Sequence, residues 1–225
     1  MVSIAIDGPA GAGKTSVCHR LAHELGYLHV DTGALYRAIG LFVLRKGADV
    51  TDSAAVAGLL PQIKVDLRFV NGQQCVLLNG EDVSEEIRTP EASAAASATS
   101  AMPAVRAFLL ELQRELACSH NVIMDGRDIG TVVLPGATVK IFLTASPEAR
   151  ARRRWLQQKQ QGIEEPYEQV LEAICRRDYN DSHRAAAPMK QAEDAWLCDT
   201  SEMDFEASVA ALLRYIREKT AEKTV

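Results

Sequence analysis

The hydrophobic pattern of this chain switches between two periods. Residues 2–7 form a short apolar run that ends in Asp7 and is followed by glycines, which predicts a buried parallel strand. Lys14–Leu25 then sets Val17, Leu21 and Leu25 on one face at helical spacing, with Gly26 as the C-terminal stop. Residues 27–31 predict a second strand. Residues 34–46 predict a second helix, which carries Leu35, Ile39, Phe42 and Val43 inward and ends at Gly47. The period then changes: Ile63, Val65, Leu67 and Phe69 alternate with Lys64, Asp66 and Arg68, as a half-buried strand does. Asn71-Gly72 predicts a hairpin turn, residues 75–78 the return strand, and Asn79-Gly80 the start of another turn. A helical stripe resumes with Val105, Leu109, Leu112 and Leu116, and residues 121–125 and 139–145 predict two more strands. Ser146 and Pro147 are an N-cap and a first helical position, opening a helix that carries Arg150, Arg152, Arg153 and Arg154. Another helix starts near Pro166, residues 195–198 make a last short strand, and Phe205, Val209, Leu212, Leu213 and Ile216 line a closing amphipathic helix. No internal repeat is visible. The elements add up to an α/β protein: a central parallel sheet flanked by helices, with one small antiparallel β insert and one helical, arginine-rich excursion.

Composition narrows the setting. The 225 residues are 47% hydrophobic and 24% charged, which is ordinary for a globular chain and suits one large domain or two small ones. The longest stretch without a formal charge, residues 92–105, is interrupted by Ser, Thr and Pro and is too short to span a bilayer. The first three residues run directly into the first strand, leaving no basic leader for a signal peptide. The five cysteines (18, 75, 118, 175 and 198) are odd in number, scattered and without a CxxC pair. The expectation is therefore a cytoplasmic protein with reduced thiols. The five histidines show no metal-ligand spacing and read as structural or surface residues. A net charge of −5 argues against a protein that coats nucleic acid. The charge is uneven, however. Between Arg150 and Lys190 lie nine of the 25 Lys and Arg against six Asp and Glu, so that window is +3 and the remainder is −8. Composition alone fits a solvated helix face there as well as a site that holds a small anion.

Gly8-Pro9-Ala10-Gly11-Ala12-Gly13-Lys14-Thr15 fits G-x-x-x-x-G-K-[ST], and it lies between a predicted strand and a predicted helix. Glycines let backbone N–H groups wrap a polyphosphate, and the helix that follows presents its positive end. Lys14 would reach the β- and γ-phosphates, and a hydroxyl of Thr15 or Ser16 could ligate Mg²⁺. The dinucleotide pattern G-x-G-x-x-G is absent, and so is the Asn-Lys-x-Asp base reader of a GTPase. A kinase also needs a second anion pocket for its acceptor. Candidates are Arg37 after Asp31-Thr32-Gly33, Arg127 within Asp125-Gly126-Arg127-Asp128, and the later Arg177 and Arg184. Residues 125–128 follow the apolar Val122-Ile123-Met124, which places them at the C-terminal end of a parallel strand, where open α/β sheets bind ligands.

Six ordered segments carry a resemblance. IAIDGPAGAGKTS (4–16), DTGALYR (31–37), LNGEDVSEEIRT (78–89), DGRDIGTVV (125–133), VKIFLTAS (139–146) and RDYNDSHR (177–184) together resemble the bacterial cytidylate (CMP/dCMP) kinases. The last fits the family's R-D-x-x-D-x-x-R. The resemblance implies a P-loop nucleoside monophosphate kinase in one domain: a core of residues 1–35, 105–150 and 190–225, a monophosphate-binding region with the β insert at 36–104, and a lid at 150–190. It implies that Gly8 to Ser16 hold the ATP phosphates, and that Arg127 and Arg184, with Arg37 close by, hold the CMP phosphate. By the same resemblance Ser97, Arg106 and Asp128 read the cytosine, Arg177 and Asp181 meet the pentose, and Thr32 places a small hydroxyl in the same pocket. Lys14, Arg127 and Arg184 are the catalytic candidates. Quieter roles stand beside these: Ser97 could simply permit close helix packing, and Asp128 could cap a loop or pair with a lid arginine. Arg152, Arg153 and Arg154 cannot all face a nucleotide from one helical turn. Two positions depart from the pattern of some relatives: Asn180, where they have arginine, and Thr15, where they have glycine.

The expected reaction is transfer of the γ-phosphoryl group of Mg·ATP to CMP or dCMP by a monomer. The competing readings are a P-loop kinase with another acceptor, such as UMP, and a nucleotide-dependent switch that acts on a partner.

Overall fold

A computed structural model describes residues 1–70 and 73–222; the hairpin turn expected at Asn71-Gly72 lies outside the described residues. Along the chain run β1 (Ser3–Asp7), α1 (Lys14–Leu25), β2 (Leu28–Asp31), α2 (Thr32–Arg45), α3 (Ser53–Leu59), β3 (Val65–Val70), β4 (Gln73–Leu78), β5 (Glu81–Asp82), α4 (Pro90–Thr99), α5 (Pro103–Ser119), β6 (Val122–Gly126), β7 (Val139–Thr144), α6 (Pro147–Gln160), α7 (Tyr167–His183), β8 (Trp196–Asp199) and α8 (Phe205–Glu222). Five parallel strands make the main sheet in the order β2-β6-β1-β7-β8.

The register explains the layers. Ile4 and Ile6 of β1 pair with Ile123 and Asp125 of β6 and with Val139 and Ile141 of β7, so these side chains share one face. That face packs under Val17, Cys18 and Leu21 of α1 and Val209, Leu212 and Ile216 of α8. The opposite face presents Ala5, Val30, Val122 and Met124 to Ala117 of α5 and to Ile129 and Val133 beyond β6. A sheet buried on both faces needs near-continuous apolar strands, and the strand sequences supply them. Every parallel strand ends on the same side, which gathers the loops after β1, β2, β6 and β7 at one edge.

The antiparallel insert is the three-stranded sheet β3-β4-β5, one strand more than the sequence pattern indicated. It joins a second core with α2, α4 and α5, built around Leu35, Ile39, Val76, Leu78, Val105 and Leu109. Gln74 of β4 fastens the insert to the main sheet. Its side-chain carbonyl accepts from the Asp31 N–H (3.0 Å) and its amide donates to the Asp31 carbonyl (3.2 Å). The uncharged Ala/Ser-rich stretch turns out to be helix α4, capped by Thr89 and opened by Pro90. Its small residues let α2 approach closely: a Cβ on Gly40 would lie 2.9 Å from the Cβ of Ala95. α3, capped by Asp52, and a π-helical turn at Ile129–Val133 had no clear hydrophobic period to announce them. α2 begins at Thr32, two residues ahead of the periodic stripe, because the Asp31 carboxylate caps it through the Ala34 N–H. α6 and α7 pack on each other around Ala151, Val170 and Ile174, with Trp155 and Tyr167 at the rim, as a small core of their own. No helix among the described residues is long and apolar enough to cross a membrane.

Candidate active site

The loop after β1 turns sharply at Gly8, whose φ of +148° suits glycine and whose Cβ position would fall 1.9 Å from the Leu143 carbonyl oxygen. Gly11 and Gly13 also take positive φ, and the chain then enters α1 at Lys14. The N–H groups of the first turn of α1 therefore face the loop, an anion site by construction. Lys14 is buried and donates to the carbonyls of Gly8 (2.7 Å) and Pro9 (2.8 Å). Burial, reinforced by the nearby Arg127, pushes its ammonium down to about 7, with Asp125 pulling the other way. Asp7, at the end of β1, accepts from the N–H groups of Ile129 and Gly130, both at 2.7 Å, and so ties the π-helical turn to the loop. Burial lifts its carboxyl to about 6 in spite of those two bonds.

The end of β6 carries the second cluster. The Thr32 hydroxyl, buried at the start of α2, donates to the Asp125 carbonyl (2.8 Å). Arg127 donates through Nε to Asp181 of α7 (2.8 Å). Asp128 is buried and receives Arg106 of α5 on one oxygen and Arg184 on the other, the latter at 3.4 Å. Arg106 also donates to the Ser100 carbonyl (3.1 Å) and lies over the Tyr36 ring at 5.5 Å. Arg37 donates to Asp31 (2.8 Å). Arg177 lies among Arg127, Asp181, Arg37 and Asp178, and its buried Nε has no hydrogen-bond partner among the described residues. Burial, then the Arg127 charge, holds its guanidinium below the usual value. A buried guanidinium nitrogen left without an acceptor beside two further arginines suits an anion. Beside this cluster lies a cavity of about 260 Å³ walled by Tyr36, Arg106, Leu110, Gln113, Val132 and Ala186, among others.

Most of the site residues expected from the sequence thus fall into two adjoining groups at the C-terminal edge of the sheet. Ser97 is the one held apart: its carbonyl accepts from the hydroxyl of Ser100, the residue that caps the C-terminus of α4, and no hydrogen bond joins its own hydroxyl to Arg106 or Asp128 among the described residues. Asp128 also pairs with Arg184 at the end of α7, the kind of contact that its quieter role requires. Of the arginine run on α6, Arg152 and Arg154 are exposed, while Arg153 holds the Thr200 and Met203 carbonyls.

Three residues to which the sequence assigned no site role belong to the site. Arg150 is buried and donates to Ala10 of the loop (3.0 Å) and to Ala145, while it pairs with Asp178 of α7 (2.7 Å). It therefore connects the arginine-rich helices to the glycine loop, and its place in a run of arginines hid it. Asp125 lay in a segment whose arginine drew attention first. His29 carries no sequence signal at all. Its Nε2 sits 2.7 Å from Asp125 Oδ1, and the other Asp125 oxygen accepts from the Thr15 hydroxyl at 3.2 Å. Cys18, His29 and Asp125 offer ligand atoms within 4.8 Å of one another. Burial and the Asp125 charge push the Cys18 thiol up, however, and His29 Nε2 is already engaged, so the trio reads as a packed polar pair beside a thiol.

Comparison with known proteins follows the same lines. Residues 4–218 match the sequence profile of the family described as cytidylate kinase. A cytidylate kinase of Caldicellulosiruptor bescii is 48% identical over 212 residues, covering 94% of each chain. One from Mycobacterium leprae is 48% identical over 220 residues, covering 97% of each. Among solved structures, an uncharacterized protein from Eubacterium ventriosum shares the fold with a TM-score of 0.54 at 11% identity, over 96% of this chain and 99% of that one.

Proposed function

This chain belongs to the cytidylate kinase family, and from that membership we propose that it transfers the γ-phosphoryl group of Mg·ATP to CMP or dCMP, yielding ADP and CDP or dCDP. The observation that carries the reading is the Arg106–Asp128–Arg184 cluster at the end of β6, one strand from the glycine loop. Cytosine offers an amino donor at N4 beside acceptors at N3 and O2. A carboxylate such as Asp128 accepts the amino hydrogen, and Arg106, aided by Ser97 once the pocket closes, donates to the acceptors. Uracil reverses that pattern at two positions.

Residues 8–16 bind the ATP phosphates through loop N–H groups and Lys14. Arg127, Arg184 and Arg37 take the acceptor phosphate. Arg177 and Asp181 face the pentose, and Thr32 lines the same pocket. The acceptor oxygen is already an oxyanion at neutral pH, so it attacks Pγ without a general base. The new O–Pγ bond forms as the bond from Pγ to the ADP oxygen breaks. Alignment and positive charge supply most of the catalysis in such a loose transition state. The Thr15 hydroxyl at the head of α1, backed by the Asp125 carboxylate at the end of β6, suits a hard cation. When bound there with ATP, Mg²⁺ offsets charge on the β- and γ-phosphates. Residues 36–104 serve as the monophosphate region and 150–190 as the lid, which excludes water on closing. We place this activity in the cytoplasm, in a monomer acting on small molecules.

Acceptor-dependent ADP release, measured with CMP, dCMP, UMP, AMP and no acceptor, tests the proposal. Turnover should appear with CMP and dCMP; equal turnover with and without CMP would sink it.

A second expectation concerns protons. Lys14 in the free protein titrates at about 7, below its ordinary value, because burial disfavours the charge. Phosphate oxygens favour the ammonium form and raise that value. At pH 8 the free protein holds Lys14 mostly neutral, so ATP binding takes up close to one proton, and affinity declines as pH rises above about 7. At pH 6 Lys14 is already mostly charged, and its share of the uptake falls to about a tenth of a proton. Calorimetry in two buffers of different ionisation enthalpy measures it, and zero uptake at pH 8 would contradict the assignment of Lys14 to the phosphates.

A further inference from the structure

His29 sits in β2, the edge strand of the main sheet, yet it is buried. The parallel register pairs His29 with Ile123, so His29 and Asp125, two residues further along β6, lie diagonally on the same face of the sheet. Apart from Asp31 at the end of β2, the rest of that face is apolar and is covered by α1 and α8. A polar pair in such a place costs free energy unless each group is satisfied. Here they satisfy one another at 2.7 Å, and because an ionised carboxylate only accepts, His29 Nε2 carries the proton. Against burial, the His29 bond and the Lys14 and Thr15 contacts keep Asp125 below the usual carboxylate range.

The second oxygen of Asp125 accepts the Thr15 hydroxyl proton at 3.2 Å. A hydroxyl that gives its proton to a carboxylate turns its oxygen lone pairs the other way. Thr15 is exposed in the first turn of α1, next to Lys14 and directly after the glycine loop that receives the phosphates, so those lone pairs are open to a ligand held there.

We propose that His29 is a positioning residue for the metal–nucleotide site: it fixes Asp125, which in turn fixes the Thr15 hydroxyl with its lone pairs facing the cation that accompanies ATP. The inference rests on the phosphoryl-transfer reading above and adds to it a residue outside the loop, the acceptor pocket and the lid. His29 touches neither substrate nor cation. Without its donor, Asp125 Oδ1 is left buried and unpaired, and the carboxylate has no fixed orientation from which to hold Thr15. Partners that orient a metal-facing group typically change metal affinity by 10- to 100-fold.

The test uses the full chain with His29→Leu, which fills the space without a donor, and His29→Gln, which restores an N–H near the Nε2 position. ATP binding is measured by calorimetry in Mg²⁺ and in EDTA, and kcat and the KM for CMP are measured alongside. His29→Leu should lose about tenfold of the gain in ATP affinity that Mg²⁺ confers and about tenfold in kcat, with the KM for CMP unchanged. His29→Gln should recover most of both. A folded His29→Leu that keeps the full Mg²⁺ gain, or a folded His29→Gln that recovers nothing, overturns the proposal. In the wild-type chain the His29 imidazole ¹⁵N resonance should shift when Mg²⁺ is added to the ATP complex; an unshifted resonance also overturns it, whether or not the variants fold. The binding and resonance measurements need no acceptor. Absence of CMP-dependent turnover in the wild type would therefore remove the proposed reaction without deciding the role of His29.

Discussion

Lys14→Met is expected to cut kcat by about 10²- to 10³-fold while leaving the melting temperature unchanged or higher. The two halves of this expectation come from one observation. Among the described residues Lys14 is buried with the Gly8 and Pro9 carbonyls as its hydrogen-bond acceptors, and burial, which outweighs the nearby Asp125 and Asp7 charges, has brought its ammonium down to about 7. In the free protein that charge is held at a cost, so an apolar side chain of similar length should fit the same space without loss. The charge becomes favourable only when phosphate oxygens replace the Gly8 and Pro9 carbonyls, and most favourable as negative charge shifts between the phosphates during transfer. A steady-state assay and a thermal melt on the same preparation check both halves. A large drop in stability would make Lys14 a structural strut, and an unchanged kcat would remove it from the reaction.

Asp128→Asn should lower the preference for CMP over UMP by about 10²-fold, with the KM for ATP nearly unchanged. The carboxylate presents only acceptors, which suits the N4 amino group of cytosine and repels the O4 of uracil. An amide in its place can donate to O4. A site built to hydrogen-bond one partner rejects the analogue that leaves its polar groups unpaired, so a single atom can carry a large ratio. The variant also weakens the hold on Arg106 and Arg184, whose side chains are 11% and 7% exposed. Breaking a buried pair of this kind costs about 3 kcal/mol. A urea midpoint reports that part separately from the ratio of kcat/KM values for CMP and UMP. Loss of stability with selectivity intact would leave Asp128 as an anchor for two arginines and nothing more.

How much of this was legible in the chain depended on the kind of signal each residue sends. Parallel strands buried on both faces announce themselves as apolar runs, so β1, β6 and β7 were readable, as were α1 and α8 from their stripes. The glycine loop was readable because positive φ and close approach to Leu143 leave almost no other residue for position 8. α4 was harder to see. Its Ala and Ser residues make a weakly amphipathic helix that is specified by the Thr89 cap and by close packing on Gly40, a contact between segments distant in the chain. The π-helical turn after β6 depends on Asp7 accepting from Ile129 and Gly130, more than a hundred residues away, and no local pattern encodes such a bond. The same holds for the site. Arg127, Asp128, Arg177 and Arg184 stood out by motif, whereas His29 and Arg150 matter through partners that only the folded sheet brings near. The +3 window from Arg150 to Lys190 was ambiguous by composition. The structure divides it: Arg150, Arg177 and Arg184 turn inward toward the two clusters, and Arg152 and Arg154 remain in solvent.

One pocket selects cytosine, and one loop delivers phosphate to it. Competition is the decisive measurement: equal amounts of CMP, UMP and AMP are incubated together with Mg·ATP, and the diphosphates are separated and quantified as ATP is consumed. CDP should form first, with ATP loss matched mole for mole and little UDP before CMP is depleted. UDP formed in preference to CDP, or ATP consumed with no pyrimidine diphosphate produced, would contradict the claim.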